Sequence, residues 1–331
     1  MRAARLYAAG DLRVDEEPRP EAGAGMSLVR VTAVGICGSD LHWWDEGAIG
    51  DAVLAHPLVL GHEGAGVISG GPRRGERVAI DPAIADGTCR ACRDGYPNLC
   101  YRIRFAGHGE TDGMMREFMT WPTELLHPLP DGVSDADGAL LEPLGVALHC
   151  VDLGHLPFAG TASVVGCGPI GLLLISALKA AGASSVLAIE PLAHRREAAA
   201  QYGADVVVSA GPVGELVGAG VDVAFEAAGN DEAVALAAES VRPGGRLVLA
   251  GIPGDDAIRL QASVARRKGL TIAMVRRMNQ VYPRAISLAA RGVVDLGALV
   301  SRRAGLGEVK EAFGDAARRT GLKVLIEPLR S

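Results

Sequence analysis

The chain has 331 residues, too many for one ordinary domain and about right for two. Hydrophobic residues make up 49%, enough for a large core, and 33 basic against 39 acidic residues leave a net charge of −6. With aromatics at 4% and charges of both signs spread along the chain, the composition argues against nucleic acid and against an anionic membrane as partners.

The first strand-like segment is Arg5–Ala8. Nothing before it has the plan of an export signal, so a cytoplasmic protein is expected. Ser27–Val34 and Val78–Ile80 also read as strands, and Gly and Pro punctuate the first 130 residues. The character changes near Leu140. From Thr161 strands and helices alternate: strand 162–165, helix 170–181, strand 185–189, helix 194–202, strands 206–208 and 223–225, helix 231–240, strand 246–250. That alternation predicts an α/β fold with a doubly wound parallel sheet. A last helix over 283–290 and a strand at Lys323–Ile326 form a tail able to return to the first domain. The stretch Thr161–Leu178 lacks charge for 18 residues, but Gly166, Gly168, Pro169 and Gly171 divide it into strand, turn and buried helix.

Val164-Val165-Gly166-Cys167-Gly168-Pro169-Ile170-Gly171 is a G-x-G-x-x-G element between a strand and a helix, the context in which it binds a dinucleotide. The first glycine permits a tight turn, the second lets the backbone approach a pyrophosphate, and the third allows helix to pack on strand. The helix N-terminus then faces the phosphates. Glu190, 19 residues after Gly171, is placed to accept both ribose hydroxyls and to repel a 2′-phosphate, which favours NAD over NADP. Arg195 and Arg196 follow closely, and an arginine there pairs instead with a 2′-phosphate.

Six cysteines are present, three of them within twelve residues (Cys89, Cys92, Cys100), a crowding that favours metal over disulfides. Elsewhere, Cys37 lies in Gly35-Ile36-Cys37-Gly38-Ser39-Asp40-Leu41-His42. His62 and Glu63 lie in Gly61-His62-Glu63-Gly64, and Glu142 in Leu141-Glu142-Pro143-Leu144. Thiolate, imidazole and carboxylate together suit zinc, and a catalytic zinc needs only three protein ligands because one position stays open. Each of these segments is bounded by Gly or Pro and reads as a turn. Cys150 and Cys167 read as small buried residues.

In these residues, taken in this order, the chain resembles the zinc-dependent medium-chain dehydrogenases, most of all their sorbitol (polyol) and L-idonate dehydrogenase branch. The resemblance implies a GroES-like β-rich catalytic domain from residues 1–145 and 284–331 around a Rossmann NAD-binding domain at 146–283. It implies a catalytic zinc on Cys37, His62 and either Glu63 or Glu142, with Ser39 and His42 relaying the substrate proton. Asp86-Gly87-Thr88-Cys89-Arg90-Ala91-Cys92, followed by Cys100, matches the family's structural zinc lobe at three of four positions. Aspartate stands where the family has its first cysteine, and a second zinc on Asp86, Cys89, Cys92 and Cys100 is expected.

The activity implied is oxidation of a secondary alcohol of a polyol, sugar acid or cyclitol to the ketone. Arg277, or Arg276 beside it, in the run Arg276–Pro283, matches an arginine that the branch places at the substrate, and Trp43, Trp44 and Phe105 are candidates to line the pocket. Two other readings are a threonine dehydrogenase of the same superfamily and a non-enzymatic nucleotide-binding or redox-sensing protein. The complete metal set beside Ser39 counts against the second. Members of the family are homodimers or homotetramers, commonly through sheet edges, and the strands near Arg246–Ala250 and beyond are candidates for such an edge.

Overall fold

In the computed structural model, which describes residues 1–209, 211 and 218–330, the strand Met26–Gly35 is the spine of one of two units. Its side chains alternate between half-buried and buried, the period of two that a pleated strand imposes. It pairs antiparallel with Glu63–Gly70, Phe118–Pro122 and the C-terminal strand Lys323–Ile326. These belong to a seven-stranded sheet that also holds Arg77–Ile80, Leu126–Pro128 and Val300–Ala304. A three-stranded sheet of Arg2–Ala8, Asp11–Glu16 and Leu58–Val59 stands beside it. One core, including Leu6, Val29, Trp43, Ile68, Met119 and Phe313, is shared by these elements. This unit comprises Met1–Glu142 and Tyr282–Ser331, so the tail does return to it.

The second unit, Pro143–Val281, is built on a six-stranded parallel sheet. Its spatial order is Val206–Val208, Ser185–Ile189, Thr161–Val165, Val221–Glu226, Val241–Leu249, Thr271–Met274. The chain starts at the centre, moves out to one side, then crosses back to the other, which is the doubly wound arrangement expected. The uncharged stretch resolves into the strand Thr161–Val165, a glycine turn and the helix Pro169–Ala180. Among the described residues no helix is long and apolar enough to cross a membrane.

Two local readings need correction. The helix Asp135–Gly154 runs straight through Gly138, Pro143 and Gly145, so Glu142 lies within a helix and not in a turn. A proline removes one backbone donor but does not end a helix that packing holds on either side. The strand Val241–Leu249 is interior, paired on both flanks, and the edge belongs to Thr271–Met274, where Ile272 and Met274 are exposed.

Candidate active site

Cys37 is the N-cap of the helix Gly38–Glu46, and Glu63 opens the strand Glu63–Gly70 with His62 just before it. One carboxylate ties these two segments together. Asp40, fully buried, accepts the Cys37 N–H on Oδ2 at 2.9 Å and the Gly61 N–H on Oδ1 at 3.1 Å. Its Oδ1 also lies 3.6 Å from His62 Nδ1, which turns the other ring nitrogen, Nε2, toward Ser39 Oγ at 3.4 Å. Burial works against a charged His62, but the charges of Asp40 and Cys37 push it well above its ordinary value. The spacing of Asp40 three residues after an N-cap is a helix-start signal that, read further, would have drawn attention to it.

Cys37, His62 and Glu63 each offer a ligand atom, and these atoms all lie within 4.8 Å of one another. Glu63 is buried beside Lys323, whose Nζ donates to Oε1 at 2.6 Å and to the Ile36 carbonyl at 3.0 Å. Nζ lies as near Oε2, yet that oxygen has no well-directed hydrogen bond. A β-carbon at position 35 would collide with the same oxygen, so glycine there leaves room for the carboxylate. A thiolate, an imidazole and a carboxylate oxygen with free lone pairs, the last two buried and the sulfur half-buried, fit zinc and leave a fourth position open. Lys323 carries no local sequence signal for this contact.

Glu142, 5% exposed, stands outside the three-residue cluster. Burial pushes its carboxyl up to about 7; His62 and Lys323 pull it down, while Glu63 and Asp81 push it further up. It therefore shares the field of the same site. Phe105 packs with its ring centroid 5.2 Å from that of His62. Half-buried His42 bonds Glu46 Oε1 through Nδ1 at 3.0 Å. Trp43, by contrast, is a core residue, 1% exposed and edge-on to His108, with no face left for a substrate. Trp44 packs on Phe313.

In the second cysteine cluster, the ligand atoms of Asp86, Cys89, Cys92 and Cys100 also lie within 4.8 Å of one another. Cys89 Sγ is 3.5 Å from Cys92 Sγ and 3.9 Å from Cys100 Sγ. The donor set of three sulfurs and one carboxylate fits a closed zinc site. Asp86 accepts the N–H groups of Cys89 and Thr88 on Oδ1 and pairs with Arg102 through Oδ2, contacts that hold its carboxyl well below the usual range. Burial pushes the remaining thiols, Cys150 and Cys167, up to about 12.

The second unit carries the glycine loop. Gly166 has φ +91°, and a β-carbon on it would meet Ala228 at 2.9 Å. A β-carbon on Gly171 would run into the Gly166 carbonyl. Gly168 caps the helix, Pro169 takes its first position, where no N–H is needed, and Ile170 follows. Glu190, 3% exposed, accepts the Cys167 N–H on Oε2 at 2.8 Å and the Leu192 N–H on Oε1 at 2.9 Å. A β-carbon on Gly168 would lie 3.5 Å from Arg195 Nη1, whereas Arg196 is bonded to the carbonyls of Glu190 and Pro191. Arg277 belongs to this unit and has a left-handed backbone, φ 57°. A helix N-terminus and glycine turn beside the point where the strand order reverses fit a dinucleotide.

Residues 23–131 match the family model of the alcohol dehydrogenase GroES-like domain, and residues 169–291 that of the zinc-binding dehydrogenases. Sorbitol dehydrogenase of Bacillus subtilis (strain 168) is 33% identical over 347 residues, covering 100% of this chain and 98% of its own. Among solved structures, L-idonate 5-dehydrogenase from Escherichia coli str. K-12 substr. MG1655 superposes with a TM-score of 0.93 at 27% identity, over 98% of this chain and 97% of that one. A Sinorhizobium meliloti 1021 structure bound to NADP superposes with a TM-score of 0.91 at 31% identity, over 99% of each chain. Full-length similarity of this kind, together with the two sets of zinc donors and the glycine loop, means that the chain belongs to the zinc-dependent medium-chain dehydrogenases, in their polyol dehydrogenase branch, and works with zinc and NAD(P).

Proposed function

We propose that this enzyme oxidises a secondary alcohol of a polyol, sugar acid or cyclitol to the ketone, with NAD as the hydride acceptor. The observation that carries this reading is the convergence of half-buried Cys37 with buried His62 and Glu63, with Glu142 in the same field and Phe105 alongside. The names of its relatives, a sorbitol dehydrogenase and an L-idonate 5-dehydrogenase, support the substrate class.

When bound, zinc and the dinucleotide supply Lewis acidity and a place for the hydride. The chain's own residues do the rest. Cys37, His62 and Glu63 hold the metal; Glu142, outside that set, tunes the charge of the site. Asp40 fixes the tautomer of His62 so that Nε2 is the ligand atom. Ser39 accepts the substrate hydroxyl proton, and His42, half-buried, passes it toward solvent. Arg277 recognises the polar substrate, a role that rests on the resemblance alone. In the second unit Glu190 accepts the adenosine ribose hydroxyls, with Arg195 beside the glycine loop. Asp86, Cys89, Cys92 and Cys100 hold a second, structural zinc. The protein is cytoplasmic, with neither nucleic acid nor membrane as partner, and forms a homodimer or homotetramer. Support for the last point is the edge strand Thr271–Met274, since an edge with exposed apolar side chains favours pairing with another copy.

The test is a spectrophotometric screen of zinc-loaded protein with NAD or NADP. The panel is sorbitol, xylitol, L-idonate, gluconate, myo-inositol, aminocyclitols, L-threonine and simple secondary alcohols. Chelator-sensitive NAD reduction by one polyhydroxy class is expected, on protein carrying two zinc ions per chain. Turnover of L-threonine alone would replace the polyol reading with the amino-alcohol one. Silence across the panel, with NADH bound, would overturn it.

A further inference from the structure

Glu226 ends the strand Val221–Glu226 and pairs with Val165, the residue before Gly166, where the strand order of the sheet reverses. It is 1% exposed, an unusual place for a carboxylate that forms no ion pair among the described residues. Oε1 accepts the N–H groups of Ala228 and Gly229, both at 2.6 Å. The main-chain carbonyl of Glu226 accepts those of Ala250 at 2.8 Å and Gly251 at 3.2 Å. Oε2 packs on Gly251, where a β-carbon would come within 2.7 Å of it.

Three loops thus meet over one buried side chain. They follow the strands Thr161–Val165, Val221–Glu226 and Val241–Leu249, at the ends where an open α/β sheet binds its ligand. Their approach is close: a β-carbon on Gly166 would strike Ala228, and one on Gly251 would strike Gly229. The loop residues Ala227–Asn230 and Ala250–Pro253 are half-buried or exposed, while Glu226 lies beneath them. The first mononucleotide-binding half, strands 161–165 to 206–208, carries the glycine loop and Glu190. The second half, strands 221–226 to 271–274, takes the other nucleotide of the pair.

We propose that Glu226 is a positioning residue for the nicotinamide half of the dinucleotide. Buried as it is, it does not touch the ligand. Its side chain fixes the 227–229 loop, on which Gly251 packs, at the height the nicotinamide nucleotide needs. A carboxylate suits this task because both of its oxygens accept: Oε1 takes two N–H groups while Oε2 lies against the Gly251 backbone, so an amide must turn its NH₂ onto one of these loops. The inference rests on the dinucleotide binding at this edge of the second unit.

The experiment compares NADH with ADP-ribose, which lacks the nicotinamide, on the zinc-loaded full-length enzyme. Dissociation constants come from fluorescence and calorimetry, with thermal unfolding alongside. Glu226→Gln is expected to weaken NADH at least about fivefold while ADP-ribose changes less than about twofold, and to raise KM for NAD with KM for the alcohol unchanged. Equal loss of both ligands, or loss of neither, overturns the proposal. If Glu226→Gln does not fold, Glu226→Asp decides on the same two outcomes, since it keeps the charge but withdraws the carboxylate from the Ala228 and Gly229 N–H groups. A wild-type enzyme that binds neither ligand would refute the dinucleotide reading itself, and this inference with it.

Discussion

Lys323 stands 260 residues from Glu63 in sequence, and its Nζ lies 2.6 Å from the Glu63 carboxylate, both side chains being almost wholly buried. Burial alone would strip the lysine of its proton, but Glu63 first, then Cys37 and Glu142, hold the charge in place. Such a pair contributes little against an apolar replacement of both partners, yet removing one partner leaves a buried charge and costs about 3–5 kcal/mol. Lys323→Met is therefore expected to destabilise the metal-free protein by about 3 kcal/mol in chemical denaturation. Adding Glu63→Gln should return part of that loss. Saturating zinc should narrow the deficit of the single variant, because the metal offers Glu63 another cation. A wild-type denaturation midpoint for metal-free Lys323→Met would show that the pair contributes nothing.

Asp40 acts on the same site from the other side. Its two oxygens serve the N–H groups of Cys37 and Gly61 and face His62 Nδ1. Asparagine keeps the shape, loses the charge, and has one acceptor atom for work that now takes two. Asp40→Asn is expected to weaken zinc binding about 10- to 100-fold in competition with a chelator. NADH affinity should stay at the wild-type value, because the dinucleotide elements belong to the second unit. A fall in both affinities would assign Asp40 to general folding.

Sequence periodicity located the elements of the parallel sheet because buried strands alternate with helices there, and each has its own composition. Thr161–Val165, Ser185–Ile189 and Asp231–Ser240 lie within a residue of their expected bounds, as does Lys323–Ile326 in the first unit. The helix Asp135–Gly154 was not legible, since Gly138, Pro143 and Gly145 each argue locally for a break and only packing overrides them. Of the candidate metal cluster, Cys37, His62 and Glu63 were legible as residues, while their convergence depends on pairing between Met26–Gly35 and Glu63–Gly70. Lys323 was legible as a strand residue and not as a site residue. Nothing near it in sequence announces a partner that the sheet register alone brings close. Trp43 shows the opposite error, a residue beside the motif that the core absorbs.

Glu190 is anchored by the main chain, one oxygen to the Cys167 N–H and the other to the Leu192 N–H. Each carboxylate oxygen has a second lone pair, so a ribose hydroxyl adds to this arrangement without displacing it. Glu190→Ala is expected to weaken NADH about tenfold and NADPH distinctly less, because the lost charge also opposed a 2′-phosphate. Fluorescence titration with both cofactors measures this directly. Equal losses would assign Glu190 to holding the loop and remove it from cofactor choice.

The buried acids give the metal-free protein an unusual pH dependence. Burial pushes Glu142 up to about 7 and Asp81 up to about 6, from ordinary values of 4.5 and 3.8. His62 is held above its ordinary value too, burial opposing and Asp40 and Cys37 prevailing. In each case the folded state keeps a proton that the unfolded chain has already released. Stability is then fully present below the unfolded values and is lost as pH rises through the folded ones. Between pH 5 and pH 8 metal-free protein is expected to lose about 2–4 kcal/mol, where most proteins change little. Glu142→Gln and Asp81→Asn should each flatten that slope, since neither side chain ionises. Zinc should flatten it as well, because a nearby dication favours the ionised carboxylates. Urea denaturation at pH 5, 6, 7 and 8, with and without zinc, measures all three effects. Metal-free protein that grows more stable from pH 5 to pH 8 would mean that Glu142 and Asp81 are already ionised when the chain folds.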